Sequence, residues 1–132
     1  MKVSRSITKS IDLRVGPDRA FAYLSDPMNW PKWAIVNMKS VRPRLDGWYE
    51  TETRQGRGQL RMLANKPLGL LDHAWKDPQA SWTVPARLVA NGEGCTFMMT
   101  FFQPSAMDDA EFDAASQEIE RELGKLKEIL EA

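Results

Sequence analysis

Apolar residues recur with a helical period in the last part of the chain. Between residues 105 and 132 they follow one another at steps of three or four positions, which places them on one face of a helix. The members of this stripe are Phe112, Ala115, Ile119, Leu123, Leu126 and Leu130. Acidic side chains crowd the first turns and lysines lie near the other end, as the helix dipole favours. The pattern predicts one long amphipathic helix that begins near Ser105, Asp108 or Asp109.

The beginning of the chain alternates instead. In residues 3–13, apolar side chains share one parity and mostly polar side chains share the other, which predicts a half-buried strand. Gly16-Pro17-Asp18 then opens a short helix that Asp26-Pro27 ends. Residues 28–33 form a second short, tryptophan-rich segment that we expect to be helical and to plug one end of a sheet.

Residues 36–103 have the pattern of six strands joined by turns. The turn signals are Asp46-Gly47, Gln55–Gly58, Lys66–Gly69, Asp77–Ala80 and Asn91–Gly94. They recur at nearly regular intervals, which is typical of an antiparallel meander. The sequence therefore predicts an α+β protein with a helix-grip fold: a curved antiparallel sheet of about seven strands, two short helices after strand 1, and the long C-terminal helix held by the sheet. No linker or repeat divides the chain, so residues 1–132 are expected to form a single domain.

The turns also predict which side chains share the inner face of the sheet. Residues opposed in an antiparallel pair point to the same side, so Trp75 is expected opposite Trp82, and His73 opposite Val84. Carried through the meander, this face has apolar members Leu60, Met62, Trp75, Trp82, Val84, Met99 and Phe101, and polar members Tyr49, Thr51, Thr53 and His73. Arg42 and Arg44 cannot be oriented in this way, and either would form a clamp for an anionic ligand if it turned inward.

This order of elements resembles the helix-grip superfamily of START-type and birch-pollen-allergen-like proteins, called SRPBCC, which includes polyketide cyclases. The resemblance is carried by Ile7–Leu13, by GPDRAFAYLSDPMNWPKW (Gly16–Trp33) and by the closing helix. LDHAWKD (Leu71–Asp77) and VPARLVANGEGCTFMMTFF (Val84–Phe102) are similar to an uncharacterised bacterial branch. The resemblance implies a cavity between the concave face and the C-terminal helix, lined by the inner-face residues, that takes a small hydrophobic ligand.

Composition and charge exclude several classes of protein. Apolar residues make up 42% and charged residues 27% of the chain, which is ordinary for a globular domain, and the net charge of zero predicts no general attraction to nucleic acid. The chain has one cysteine and one histidine, which excludes an internal disulfide and the usual zinc cluster, and we expect neither metal nor cofactor. The polar start MKVSRSITKS and the lack of a long apolar run favour a cytoplasmic protein with no stable membrane insertion.

The zero net charge hides an asymmetry. Residues 108–132 hold nine acids and three bases, a net of −6, so residues 1–107 carry +6. An acidic, solvated helix face is one interpretation, and a docking face for a basic partner is the other.

Three functions remain open on the sequence. The leading hypothesis is the binding of a small hydrophobic or aromatic molecule, with Trp75 and Trp82 either stacking on it or filling the core. The first alternative is a polyketide cyclase or dehydratase that uses His73, whose ordinary pKa suits acid–base chemistry near neutral pH. The second is a protein-interaction module without a ligand, using the acidic helix or the basic strands. The oligomeric state also remains open, a homodimer included.

Overall fold

The structure, a computed structural model, describes residues 1–132 and has the predicted α+β architecture. Its strands are β1 (Ser6–Leu13), β2 (Met38–Pro43), β3 (Tyr49–Thr53), β4 (Gly56–Met62), β5 (His73–Lys76), β6 (Ser81–Val84), β7 (Ala86–Asn91) and β8 (Gly94–Phe102). Its helices are α1 (Pro17–Leu24), α2 (Trp30–Trp33) and α3 (Asp109–Leu130), with 3-10 turns at Pro27–Asn29 and Lys66–Leu68. The strands form two antiparallel sheets in the orders β1-β8-β7 and β2-β3-β4-β5-β6. Helix α3 packs against β1 and α2, which confirms the grip.

There are eight strands instead of about seven, because the stretch expected as one strand at residues 81–90 is divided at Pro85. Proline has no N–H to donate to a sheet ladder. Upstream of it β6 pairs with β5, and downstream of it β7 pairs with β8. The carboxylate of Asp72 accepts a hydrogen bond from the Ala86 N–H at 2.8 Å in place of a backbone carbonyl. The Leu71 N–H donates to the Ala86 carbonyl at 3.0 Å, so the two sheets meet at this point through one side-chain and one backbone hydrogen bond.

The predicted register is confirmed, although one turn lies elsewhere. Trp75 pairs with Trp82, and His73 pairs with Val84 on one side and Met62 on the other. The turn expected at Gln55–Gly58 is shorter and earlier: Thr53 pairs with Gly56, which has a positive φ that favours glycine. The pairing moves by an even number of residues, so every side chain of β3 and β4 keeps the face expected for it.

Helix α3 begins at the last of the three predicted positions. Asp108 is the N-cap residue, and its carboxylate accepts from the Glu111 N–H at 2.8 Å while the Glu111 side chain returns to the Asp108 N–H. This reciprocal pair is a capping box, so Ser105 has no capping role. The stripe faces the sheet as expected, with Phe112, Leu123, Leu126 and Leu130 buried.

The acidic helix is matched by basic residues of its own chain. Asp113 pairs with Arg5 and Glu120 pairs with Lys9, both at 2.5 Å, while Glu118 pairs with Arg54 at 2.6 Å. Each surface pair contributes at most about 1 kcal/mol, and together they match three of the helix acids to basic residues of the preceding chain. The acidic residues of α3 therefore do not by themselves indicate a basic partner protein.

The two arginines that the sequence could not orient point away from the concave face. Val41 is buried, whereas the next residue of the strand, Arg42, has the opposite parity and is exposed. Arg44 pairs with Asp46 at 3.0 Å and with Glu50 at 2.5 Å on the outside of the sheet. Neither arginine forms a clamp inside the protein.

Gly124 lies inside α3, is exposed, and has no atom within 4 Å of the position that a Cβ would occupy. Glycine in a helix interior costs about 1 kcal/mol relative to alanine. We expect Gly124→Ala to raise the free energy of unfolding by about 1 kcal/mol, as measured by urea denaturation at pH 7. An unchanged or lower midpoint would contradict this expectation.

Candidate functional site

A cavity of about 220 Å³ lies between the concave side of the sheet, helix α2 and helix α3. Its inner wall is made by buried side chains, among them Leu60, Val84 and Met99. Its opening lies between the β3–β4 turn and β6, where the lining residues are exposed. These are Gln55, Gly56, Arg57 and Trp82. The cavity thus runs from an exposed, partly polar opening to an enclosed, largely apolar end.

Two tryptophans line the sheet side near the opening. Trp75 and Trp82 face each other across β5 and β6, with ring centroids 6.0 Å apart. The Trp75 ring lies directly over Gly58, where a Cβ would come within 2.2 Å of its Cζ2. Its indole N–H donates to the Asp77 carboxylate at 3.3 Å. Trp75 is therefore held by its packing on Gly58 and by the hydrogen bond of its N–H, while Trp82 remains 50% exposed at the opening.

Helix α2 closes the enclosed end. Trp30 and Trp33 are both buried and their ring centroids lie 5.2 Å apart. The Trp30 indole N–H donates to the Leu24 carbonyl at 3.0 Å, which ties α2 to the end of α1. The Trp33 N–H has no partner and is enclosed by protein. This segment is the plug that the sequence predicted.

His73 lies at the enclosed end and is only 6% exposed. Its Nδ1 is 3.1 Å from the Leu71 carbonyl oxygen, and its ring packs edge-on against Trp30 with centroids 4.7 Å apart. Because a carbonyl oxygen can only accept, Nδ1 carries the proton and Nε2 has a lone pair. Burial lowers the pKa of His73 to about 4, although the hydrogen bond to Leu71 and the charge of Asp72 act in the opposite direction. The imidazole is therefore neutral at pH 7.

Glu122 of α3 lines the same end of the cavity and is 3% exposed. Its carboxylate accepts from the N–H groups of Val36 and Asn37 at 3.1 and 3.0 Å, and from the Asn37 side-chain amide at 3.2 Å. Burial raises the pKa of Glu122, and these hydrogen bonds offset part of that effect. The carboxylate therefore joins α3 to the loop that follows α2.

Comparison with known families identifies the chain. The family model described as polyketide cyclase / dehydrase and lipid transport matches residues 4–131. The protein belongs to this family. No curated protein matches the sequence.

Solved structures share the fold of this family member at low sequence identity. An uncharacterised protein from Bacillus thuringiensis has a TM-score of 0.77 at 10% identity, covering 97% of this chain and 100% of its own. A START superfamily protein from Mycobacterium smegmatis has a TM-score of 0.71 at 10% identity, covering 96% and 97%. CalU16 from Micromonospora echinospora has a TM-score of 0.65 at 17% identity, covering 94% and 73%. These likenesses confirm the START-like helix-grip fold.

The structure brings most of the predicted inner-face residues of this polyketide cyclase-like protein to the cavity. Those that line it are Thr53, Leu60, His73, Trp75, Trp82, Val84, Met99 and Phe101. Tyr49, Thr51 and Met62 lie on the same face but outside the cavity. Thr51 is buried, and its hydroxyl donates to the Gly58 carbonyl at 2.9 Å. Strand parity determines the face of a side chain, whereas the placement of the helices decides which positions on that face border the cavity.

Sequence reasoning missed Glu122, although a signal for it was present. Glu122 follows Ile119 by three positions and precedes Leu126 by four, so it belongs to the edge of the apolar stripe. Its charge made it look like a member of the solvated face. An acidic residue at the three- and four-residue spacing of the apolar stripe is the sequence signal that indicates a buried carboxylate here.

Two further observations concern the whole chain. No three His, Cys, Asp or Glu side chains lie close enough together to hold a metal ion. None of the helices combines the length and the apolar character needed to cross a membrane.

Proposed function

We propose that this protein binds one small, flat, largely apolar organic molecule in the cavity between the sheet and α3. The observation that carries the proposal is the cavity itself, with its tryptophans, its aliphatic inner wall and a few polar side chains, His73, Glu122 and Asn37, at its enclosed end. Apolar walls with a few placed polar groups are typical of small-molecule sites. Membership of a family described as polyketide cyclase / dehydrase and lipid transport also supports the binding of a small organic molecule.

The volume of the cavity limits the size of the ligand that it can hold. A volume of about 220 Å³ is below the range of roughly 300–1,000 Å³ that is usual for ligand sites. An apolar cavity of about 150 Å³ in another protein is large enough for benzene. The cavity therefore suits an aromatic compound of one or two rings better than a long acyl chain or a large polycyclic molecule.

The alternatives have less support. A general base works best when its pKa is near the working pH, and His73 has a pKa of about 4 and only a backbone carbonyl to orient it. An interaction module that uses the acidic helix would have to displace the ion pairs of Asp113, Glu118 and Glu120. Native mass spectrometry of freshly purified protein, followed by organic extraction, tests the proposal directly: a reproducible adduct of defined mass supports it.

Helix α3 offers a matched pair of variants. Ile119 lines the cavity and Ile129 does not, yet both are half-buried residues of the same helix. We expect Ile119→Phe to fill part of the cavity and to weaken the binding of 2-naphthol at least about tenfold, whereas Ile129→Phe leaves it unchanged. Both changes enlarge a packed side chain and are expected to lower stability by about 1–3 kcal/mol. Isothermal titration calorimetry of the folded variants at pH 7 measures the affinities. Equal losses in the two variants, or no binding to the wild type, would contradict the proposed site.

A further inference from the structure

Two acceptors with free capacity border the enclosed end of the cavity. His73 donates through Nδ1 to the Leu71 carbonyl, which leaves the Nε2 lone pair without a partner in the protein. Because His73 is buried and borders the cavity, this lone pair is available only to a molecule inside it.

Glu122 provides a second acceptor nearby. A carboxylate has about four lone-pair positions. Its Oε2 accepts from two backbone N–H groups, and its Oε1 accepts from the Asn37 amide alone, so Oε1 retains capacity for one more hydrogen bond. The two acceptors lie at the same end of the cavity, because His73 packs on Trp30 of α2 and Glu122 holds the loop that directly follows α2.

Most donors among the lining residues are engaged or lie at the opening, as the amide of Gln55 and the indole N–H of Trp82 do. The Thr53 hydroxyl donates to the Gly56 carbonyl at 2.9 Å, and the Trp75 indole donates to Asp77. The unpartnered Trp33 N–H is enclosed by protein. Arg57 is a donor, but it is exposed at the opening and lies 3.7 Å from Glu52. At the enclosed end one donor remains, the second N–H of the Asn37 amide, whose first N–H donates to Glu122 Oε1. A ligand there therefore meets the acceptors of His73 and Glu122 beside a single free amide N–H.

We propose that the ligand is an aromatic compound carrying an O–H or N–H donor, and that this group donates to His73 Nε2, with Glu122 Oε1 as the second acceptor. The proposal rests on the proposed function and adds the chemical class of the ligand. A ring without a donor would displace water from both acceptors and leave them unpaired, which an enclosed site penalises strongly. The neutral state of His73 at pH 7 is consistent with this role, because imidazolium would have no lone pair to offer.

Three probes of nearly equal shape test the proposal on the wild-type protein. They are 2-naphthol, 2-aminonaphthalene and 2-methylnaphthalene, which place O–H, N–H and CH₃ at the same ring position. We expect calorimetry at pH 7 to show that at least one donor-bearing probe binds about tenfold or more tightly than 2-methylnaphthalene. The tighter of the two donor probes then assigns the donor as a hydroxyl or an amine.

The imidazole can be observed directly, because His73 is the only histidine of the chain. A two-dimensional nitrogen–proton NMR spectrum of the ring therefore contains one set of signals and needs no assignment. We expect Nε2 to be unprotonated in the free protein and to shift on addition of the preferred donor probe, with little change on addition of 2-methylnaphthalene. His73→Phe should remove the preference for the donor, while Ile129→Phe, which lies outside the cavity, should retain it.

The outcomes separate this inference from the function on which it rests. If all three probes bind equally and Nε2 does not shift, the donor requirement is wrong and aromatic binding stands. If Nε2 is the protonated nitrogen in the free protein, the inference is overturned irrespective of affinity. If none of the probes binds, the proposed function itself fails. The NMR result does not depend on whether the His73→Phe variant folds.

Discussion

Replacement of Glu122 by alanine is expected to lower the free energy of unfolding by about 3 kcal/mol, close to one kcal/mol for each hydrogen-bond donor left without its partner. The three donors are the N–H groups of Val36 and Asn37 and the Asn37 amide, and all of them lie in a partly buried loop. Glu122 is itself buried, so the lost carboxylate cannot be replaced freely by bulk water. Urea denaturation at pH 7 measures the change.

Two control variants make the reason for this loss testable. Glu122→Gln retains the length of the side chain and one acceptor oxygen, so we expect it to lose less than half as much stability as Glu122→Ala. Glu118→Ala removes a carboxylate one turn earlier that pairs with exposed Arg54, and a surface pair of this kind is worth at most about 1 kcal/mol. If Glu122→Ala were no more harmful than Glu118→Ala, the carboxylate would not hold the loop as described.

The second large effect is a loss of stability as the pH falls. Burial lowers the pKa of His73 from 6.5 to about 4, so between these values the unfolded chain binds a proton that the folded protein does not. Stability from this source is fully present above pH 6.5 and is lost as the pH falls towards 4. The shift corresponds to a loss of roughly 3 kcal/mol, at 1.36 kcal/mol per pKa unit. We expect the free energy of unfolding of the wild type to fall by about this amount over that interval because of His73 alone.

The His73→Phe variant isolates this contribution from those of the carboxyl groups. Glu122, whose pKa is raised by burial, stabilises the fold most below its unfolded pKa and loses that contribution as the pH rises through its folded value, which opposes the trend of His73. The lowered pKa values of Glu118 and Asp77 act in the same direction as His73, since their contributions are lost on acidification. These groups are common to both proteins, so the difference in slope between wild type and variant reports on His73. Parallel stability curves between pH 4 and pH 7 would show that the imidazole titrates normally in the fold.

Both predictions bear on how the cavity works. The two side chains on which these predictions rest, His73 and Glu122, are buried polar groups that border its enclosed end. Helix α2 contributes Trp30 and Trp33 to the hydrophobic core, and Trp30 packs on His73. The site is therefore built into the closure of the fold and is not an addition on a loop. Variants at the opening, such as Trp82→Phe, are better suited to changing specificity without loss of structure.

Local patterns in the chain were sufficient to predict the fold. The period of two in the strands and the turn residues between them predict the register, with Trp75 opposite Trp82 and His73 opposite Val84, and the structure has these pairs. The stripe of α3 showed which helix face is buried. These predictions succeed because alternation and turn geometry act between near neighbours. Even the misplaced β3–β4 turn left the faces correct, since it moved the pairing by an even number of residues.

What only the tertiary structure decided depends on atoms distant in the sequence. Pro85 divides a strand, and Asp72 supplies the acceptor that joins the two sheets there. Gly58 looked like a turn residue, yet it provides the space that the Trp75 ring fills. These roles arise from packing between separate strands, which sequence periodicity does not describe.

The candidate site shows the same division. The sequence by itself determined that His73 belongs to the inner face of the sheet, and the structure adds that its Nε2 is the free nitrogen, because Nδ1 is engaged by a carbonyl. The charge of Glu122 suggested solvent, and only the approach of the loop after α2 makes its burial favourable by supplying three donors. Side-chain period and turn chemistry are local properties, whereas the burial of a charge is decided by whichever distant groups can satisfy it.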